Sequence, residues 1–368
     1  MAADWHAHAG RLASYLADNV LADPAWIEVF ENAPRHEFGP HGLTLDHSGR
    51  IIDSAKWSRR QRLHQSYADQ VLVTRFETTD DAHGPQATSS ASQPIIVAAM
   101  LELLDVEPGA KVLEIGTGPG YNACLLSMRL GPEQVHSLDV QDDVVGEARA
   151  NLARVGLKPH LTTGDGARGW PEHAPYDRII ATCAMPWIPH EWLGQLAPQA
   201  RVVAPMSIGA LLAVLDRRID GTLEGRFSAE GACFMTMRTD ERQDIERVYS
   251  GADNGEPVTV DIDGDVLSDQ DFRLWLELCM PDLTIITGRA QPHMWVLATP
   301  HGRVEISYSE GRTRMIPFGA PLWRRISTAL DSWLAHGRPG RQRLGLTVTS
   351  DSQWVWLDEP DSQLTWTL

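Results

Sequence analysis

The sequence predicts an α/β protein with a doubly wound, mostly parallel sheet of the Rossmann-like type and a smaller C-terminal α+β domain. Residues 111–120 carry a short apolar run that ends abruptly in glycines, and an apolar stretch with helical spacing follows. This pattern is typical of a strand, a tight turn and a helix. Strand and helix patterns then alternate as far as residue 205, which indicates a parallel sheet with ligands at the strand carboxyl ends.

The glycine turn is a candidate ligand-binding loop. Gly116, Gly118 and Gly120 lack a Cβ, so the backbone can take positive φ, and free N–H groups at the helix start favour an anionic group. The dinucleotide pattern G-x-G-x-x-G is broken because Tyr121 stands where its third glycine would fall, and NAD is therefore disfavoured. Asp139 ends the next strand, where a carboxylate binds a ribose diol. A nucleoside ligand is expected.

The N-terminal part should provide helices and loops around this turn. Residues 10–31 have helical spacings interrupted at Asp23-Pro24, which predicts two short helices. The prolines of residues 33–40 preclude regular structure, and residues 77–91 are polar enough to form a mobile lip. Ser92 precedes Gln93-Pro94 and an amphipathic helix, so we expect Ser92 to be the N-cap of that helix.

The later pattern completes the sheet and leaves a C-terminal module. The elements expected after the glycine turn are strands at 135–140, 160–163, 176–182, 201–205, 211–216 and 232–237, with helices at 142–155 and 191–196. Residues 239–264 are acidic and polar. The predicted domains are therefore 1–238 around the sheet, an acidic linker at 239–264, and an α+β accessory domain at 265–368.

Composition limits the classes of partner. The chain has 368 residues, 32 basic against 49 acidic, and its net charge of -17 would repel nucleic acid and anionic membranes. Its four cysteines are far apart and lack the spacing of a zinc site, so no metal is expected. No apolar run approaches the 18 residues of a membrane span and no signal peptide is apparent. We expect a cytoplasmic protein without nucleic-acid or membrane partners; the oligomeric state is not predicted.

Several segments in order resemble the protein-L-isoaspartate O-methyltransferase family of class I methyltransferases, which use S-adenosyl-L-methionine. The segments are Lys111–Gly120, Ser92-Gln93-Pro94, Gly164-Asp165-Gly166, Ile180–Pro186, the loop Ala33–Pro40, which is similar to the family's Val-Pro-Arg-x-x-Phe-Val-Pro, and Ser66–Asp69, similar to its Tyr-x-Asp. Three features depart from the family: Ser90-Ala91 replaces Thr-Ile after a longer lip, Phe234–Met237 replaces Phe-Val-Pro-Leu, and the chain continues far beyond residue 238.

The resemblance implies a role for each candidate site residue. Ser92 would orient the acceptor carboxylate, Asp139 would bind the ribose hydroxyls, and Asp165 would reach the adenine amino group. Glu114 would order the turn or bind the methionine ammonium. The other implied cofactor residues are Gly116, Thr117, Gly118, Gly120 and Gly166, and the implied substrate residues are Arg35, His36 and Gln93. Ser92 could instead be a plain helix cap, and Arg35 and His36 could lie in a solvated loop.

The implied chemistry needs positioning more than proton transfer. A carboxyl group with a pKa of about 4 is already ionised at neutral pH, so no general base is required. Alignment contributes roughly 7 to 11 kcal/mol in well-oriented systems, and exclusion of water from the nucleophile adds to it. A hydroxyl and backbone amides suit this task.

The expected function is methylation of an aspartyl-type carboxylate in a peptide or protein. We favour tailoring of a ribosomal peptide, with aspartimide or isoaspartate as the product, because the family members of lanthipeptide- and graspetide-type biosynthesis resemble this chain in having a C-terminal extension. The alternative is repair of L-isoaspartyl proteins. A small-molecule methyltransferase and a non-catalytic S-adenosylmethionine-binding regulator are lesser alternatives.

Overall fold

A computed structural model describes residues 5–78, 85–238, 258–260, 264–287, 294–309 and 312–368. Its helices are α1 (Trp5–Asn19), α2 (Pro24–Asn32), α3 (Arg59–Ser66), α4 (Pro94–Leu104), α5 (Tyr121–Leu130), α6 (Asp142–Arg154), α7 (Gln270–Cys279) and α8 (Leu322–Ala335). The break between α1 and α2 lies at Asp23, whose side chain accepts a hydrogen bond from Ala25 N. The two predicted N-terminal helices are therefore confirmed.

The strands follow the same numbering in chain order. They are β1 (Leu43–Leu45), β2 (Ile51–Asp53), β3 (Leu72–Glu77), β4 (Gln86–Ala91), β5 (Val112–Ile115), β6 (Val135–Asp139), β7 (His160–Thr163), β8 (Tyr176–Ala181), β9 (Leu196–Pro205), β10 (Leu212–Arg217), β11 (Leu223–Phe227), β12 (Val258–Val260), β13 (Thr284–Thr287), β14 (Met294–Thr299), β15 (Gly302–Ser309), β16 (Arg312–Gly319), β17 (Leu344–Val348), β18 (Gln353–Leu357) and β19 (Thr365–Thr367).

The predicted fold class is confirmed by a ten-stranded central sheet. Its strand order is β19-β18-β17-β11-β10-β9-β8-β5-β6-β7, and strands β9, β8, β5, β6 and β7 are mutually parallel. The chain runs outward from β5 through β6 to β7 and then returns to the other side of β5 as β8. The order of the strands therefore reverses at β5, which is the position where open α/β sheets bind ligands.

Two apolar cores lie on opposite faces of this sheet. Val112 and Val203 point into a core formed with α1, α2, α4 and α5. Their neighbours Leu113 and Val202 point into the other core, which includes Trp275 of α7. Alternation along β5 and β9 thus divides the chain: the N-terminal helices cover one face and the C-terminal region covers the other.

The C-terminal region contributes to two sheets. Strands β12 to β16 form a separate antiparallel sheet, whereas β17 pairs with β11 and continues the central sheet through β18 and β19. The sequence pattern predicted strands here but could not show which sheet they join. The proposed division at residues 238 and 264 stays a prediction, and residues 239–257 and 261–263 of the predicted linker lie outside the described residues.

Several local predictions were wrong, among them the α-helix expected at 191–196, which is a 3-10 helix at His190–Gln195. Residues 232–237 form no strand and make only an isolated bridge between Ala184 and Thr236, while β11, which was not predicted, provides the additional strand. Part of the predicted lip is a β3–β4 hairpin, whose polar residues concealed its strand character; residues 79–84 lie outside the described part. The loop at 33–40 contains a 3-10 turn at Arg35–Phe38. Among the described residues, no helix is both long and apolar enough to cross a membrane.

Candidate active site

A cavity of about 650 Å³ lies beside the carboxyl ends of β5, β6 and β8. Its lining includes Glu114, Gly116, Gly118, Asp139, Gly166 and Thr182. The cavity therefore lies at the reversal of strand order, where two diverging chain connections leave a crevice.

The glycine turn has the backbone conformation that the sequence predicts. Gly116, Gly118 and Gly120 have φ values of +94°, +52° and +96°. A Cβ on Gly116 would lie 2.9 Å from Thr182 Oγ1, and one on Gly118 would lie 3.3 Å from the carbonyl oxygen of Ser90. Gly120 faces Leu152 of α6 and is absent from the cavity lining. Glycine is therefore required at this position for backbone conformation and packing, and not for contact with a ligand.

The two strand-end aspartates differ in position. Asp139 lines the cavity, and its Oδ2 accepts a hydrogen bond of 3.0 Å from Gly118 N. Asp165 Oδ1 accepts one of 2.9 Å from Ala167 N and caps a short 3-10 turn. Gly166 lines the cavity but Asp165 is not among its lining residues. Asp139 is thus placed to contact a ligand, and the role of Asp165 stays a prediction.

Glu114 is fully buried and organises the turn. Its carboxylate accepts hydrogen bonds from Asn122 Nδ2 at 2.8 Å and from Ser137 Oγ at 2.5 Å. Thr117 Oγ1 lies 2.7 Å from the same serine oxygen. Burial raises the pKa of Glu114 to about 7, although both hydrogen bonds favour the ionised form. Glu114 therefore connects β5, β6 and the first turn of α5.

Two buried polar atoms beside the cavity have no partner among the described residues. They are the hydroxyl of Tyr121 and Oδ1 of Asn122. Buried polar groups are normally hydrogen-bonded, so unsatisfied ones in a cavity wall suit a polar ligand. Together with the glycine turn and Asp139, they fit a nucleoside with a charged amino-acid end.

Ser92 lines the same cavity but does not cap α4. The N-cap is Gln93, without a side-chain cap of its own, and Asp69 Oδ1 instead accepts a hydrogen bond of 2.9 Å from Ile95 N. Gln93 Nε2 donates to Asp69 Oδ2 at 2.8 Å. The prediction that Ser92 is the N-cap is wrong because a distant carboxylate occupies that position. The Ser92 hydroxyl has no hydrogen-bond partner in the described ranges and is available to a ligand.

Arg35 lies under this segment and is not solvated. It is fully buried, and its guanidinium donates to backbone carbonyls at Gln70 and Ser92, both at 2.9 Å, and at Ala68 at 3.5 Å. Desolvation lowers its pKa from the usual value. His36 Nδ1 lies 2.9 Å from the Tyr67 hydroxyl. Of the three residues predicted to bind substrate, only Gln93 lines the cavity.

Strand β4 of the β3–β4 hairpin lines the cavity, and two arginines hold the hairpin in place. Arg75 forms ion pairs with Asp143 and Glu147 of α6, the second at 2.8 Å. Arg238 donates to Thr88 O at 2.7 Å and to Gln141 Oε1 at 3.0 Å. These contacts were not predicted because they join residues that are distant in sequence. Thr182 was also missed, although it follows β8 beside the glycine turn.

The described residues contain no group of three or more His, Cys, Asp and Glu side chains arranged to hold a metal ion. The sheet and the glycine turn are those expected of a class I methyltransferase, and the match to a family model, over residues 50–242, shows that class and its cofactor, S-adenosylmethionine.

The comparisons identify the family within that class. Residues 50–242 match the family model described as Protein-L-isoaspartate(D-aspartate) O-methyltransferase (PCMT). A protein-L-isoaspartate O-methyltransferase of Anaeromyxobacter dehalogenans is 39% identical over 178 residues, which are 47% of this chain and 79% of that protein. One of Stenotrophomonas maltophilia is 35% identical over 222 residues, 60% of this chain and 84% of that protein. The chain belongs to this family and is a methyltransferase of protein carboxyl groups.

A solved structure extends the comparison to the C-terminal region. A structure described as a protein-L-isoaspartate O-methyltransferase covers 95% of this chain and 99% of its own, with 23% sequence identity and a TM-score of 0.54. At this identity the match shows a shared fold alone. It includes most of the chain beyond the residues that match the family model.

Proposed function

We propose that the chain methylates the side-chain carboxylate of L-isoaspartyl residues in proteins. The observation that carries this proposal is the unpartnered hydroxyl of Ser92 in the wall of the cavity that contains the glycine turn and Asp139. This arrangement puts a hydrogen-bond donor for an acceptor carboxylate beside a nucleoside site.

The donor would be held along the carboxyl ends of β5 and β6. Asp139 would accept hydrogen bonds from the ribose hydroxyls, and the backbone of Gly116 to Gly118 allows close approach. Glu114 and Asn122 Oδ1 offer acceptors for an ammonium group. S-adenosylmethionine, when bound, would supply an electrophilic methyl carbon on a sulfonium: an ionised carboxylate oxygen would bond to this carbon as the carbon–sulfur bond breaks, and S-adenosylhomocysteine would leave. The carboxylate is already ionised, so no general base is needed.

The acceptor side supplies orientation and a dry environment. Ser92 would donate its hydroxyl hydrogen to one carboxylate oxygen and leave the other free to react. Arg35 fixes the Ser92 backbone through its carbonyl, and Asp69 fixes the following helix start. Strand β4 in the cavity wall, held by Arg238, would limit the access of water to the carboxylate.

The comparisons support the L-isoaspartyl alternative better than peptide tailoring. The tailoring interpretation depended on the C-terminal extension. A structure described as a protein-L-isoaspartate O-methyltransferase shares the fold over 95% of this chain, so an extension of this kind does not by itself indicate peptide biosynthesis. The curated relatives carry the same description.

Incubation of the purified chain with radiolabelled S-adenosylmethionine and two peptides that differ only in isoaspartate or aspartate tests the proposal. We expect base-labile methyl ester on the isoaspartyl peptide alone. The Ser92→Ala variant should lower kcat about 10- to 100-fold, as for a lost hydrogen bond to a charged group, and leave S-adenosylhomocysteine affinity within about twofold. Methylation of the aspartyl peptide alone would support tailoring, and labelling of neither would contradict both.

A further inference from the structure

A second cavity of about 300 Å³ lies between α1 and the end of α3, and the proposed reaction does not use it. Its walls combine aromatic and basic side chains with one carboxylate. The lining residues are His8, Arg11, Leu12, Tyr15, His64, Tyr67, Ala68 and Asp69. Tyr15 is 43% exposed, whereas Tyr67 is buried and stacks on Trp5 with 6.3 Å between ring centroids. The cavity therefore has a firm aromatic wall and an open, polar rim.

This second cavity is adjacent to the acceptor site. Arg35 donates to Ala68 O at 3.5 Å from one amino group and to Ser92 O at 2.9 Å from the other, so a single guanidinium separates the two sites. Asp69 in the second cavity also bonds to Gln93 in the first. The Ala68 and Ser92 carbonyl oxygens on either side of this guanidinium are therefore at most roughly 9 Å apart, a distance that about two or three residues of an extended chain span. A peptide with its reacting residue at Ser92 can therefore reach the second cavity.

The surface around the second cavity is basic although the whole chain is acidic. We define the basic face as Arg11 of α1, which lines the cavity, and Arg60 of α3, which lies one helical turn before the lining residue His64. Helix α3 has no carboxylate, and α1 has none before Asp18. Asp69 is engaged as the cap of α4, and Glu37 pairs with Arg154 at 3.3 Å. In a chain with net charge -17, two guanidinium groups, of which Arg11 also contacts His8 Nδ1 at 3.0 Å, thus lie on the acceptor side.

We propose that the second cavity and the basic face form a subsite that binds acidic residues of the substrate polypeptide, two to four residues from the residue that is methylated. This subsite has charge complementary to an acidic peptide and lies beside the proposed reaction site, so it rests on the proposed function. An acidic flank would otherwise be repelled by the net negative charge of the enzyme. The subsite acts on substrate binding and leaves the methyl transfer step unchanged.

The first test uses isoaspartyl peptides that carry Glu or Gln at positions two to four on either side of the isoaspartate. We expect the KM of the acidic peptide on the favoured side to be at least about fivefold lower at low salt, with similar kcat. The difference should vanish in about 0.5 M NaCl, because exposed charges are then screened. Equal KM values at low salt would overturn the subsite, whereas no methylation of either peptide would contradict the proposed function itself.

Charge-reversal variants test which residues lower the KM of the acidic peptide. Arg11→Glu combined with Arg60→Glu should raise the KM of the acidic peptide about fivefold or more and leave the Gln peptide and S-adenosylhomocysteine affinity unchanged. Lys158→Glu is the control for overall charge, compared with Arg11→Glu alone so that each variant reverses one charge, because Lys158 is exposed and precedes β7 at the opposite edge of the sheet. The proposal would be overturned if KM rose equally for both peptides, or rose equally in the control variant. It would also be overturned if a short oligonucleotide competed more strongly than an acidic peptide without isoaspartate.

Discussion

The two edges of the parallel sheet use polar residues in opposite ways. Strand β6 begins beside His136 and ends at Asp139. At its carboxyl edge lie positive-φ glycines, a buried carboxylate and unsatisfied polar atoms. At its amino edge, His136 packs against the rings of His160 and His173, with centroids 4.5 and 4.7 Å apart. Costly features occur at both edges, since His136 Nδ1 is buried without a partner in the described part of the chain and Gly131 and Gly156 also have positive φ. At the carboxyl edge such features surround an open cavity, whereas at the amino edge packed rings fill the space.

Replacement of Arg35 should give the largest loss of stability. Arg35→Met leaves several buried carbonyls without a donor, so we expect the free energy of unfolding to fall by about 3 to 5 kcal/mol in urea titrations. Arg178→Met is the matched control at the amino edge. Arg178 also donates to carbonyls, at Leu104 and Asp105, but is only half-buried, so its loss should cost about 1 kcal/mol. Equal losses would remove the distinction between the edges.

Glu114 should make the fold less stable as pH rises. Its pKa is about 7 in the folded chain against an ordinary 4.5, so the folded state retains a proton that the unfolded state releases. The contribution of Glu114 to the free energy of unfolding is fully present below pH 4.5. It declines by up to about 3 kcal/mol as pH rises to 7 and above. Denaturant titrations of the Glu114→Gln variant should lack this decline. An unchanged pH profile would show that Glu114 is ionised throughout.

Gly116 should matter for both stability and ligand binding. Gly116→Ala forces an L side chain to φ +94° and places its Cβ 2.9 Å from Thr182 Oγ1, which should cost about 2 kcal/mol and weaken S-adenosylhomocysteine binding about 100-fold in calorimetry. Gly156→Ala is the control at the amino edge, with φ +81° and open space around its Cβ. That variant should lose about 1 kcal/mol and bind normally. Weakened binding in both would point to a general loss of folding.

His136 should make the fold less stable as pH falls, which is the opposite of the pH dependence expected from Glu114. The change in stability should also be smaller. Burial, followed by the charges of His160, His173 and Lys111, lowers its pKa to about 4. Its contribution to stability is full above pH 6.5 and is lost as pH falls toward 4, because the unfolded chain takes up the proton first. We expect a decline of about 1 to 2 kcal/mol, which His136→Phe should remove. A decline that persists in this variant would assign it to other groups.

The sequence predicted local features better than contacts between distant residues. The glycine turn, Asp139 and the alternating strands were predictable because short segments determine them. The cap of α4 was not, because Asp69 reaches it from 26 positions away and takes the place expected for Ser92. The burial of Arg35 and the pairing of β17 with β11 likewise depend on tertiary contacts that no local pattern records.

A crystal structure with S-adenosylhomocysteine and an isoaspartyl peptide tests the central claim most directly. We expect the ribose at Asp139, the thioether sulfur directed toward Ser92, and the isoaspartyl carboxylate within hydrogen-bond distance of the Ser92 hydroxyl. A nucleoside bound away from the glycine turn, or a carboxylate held without Ser92, would contradict the account.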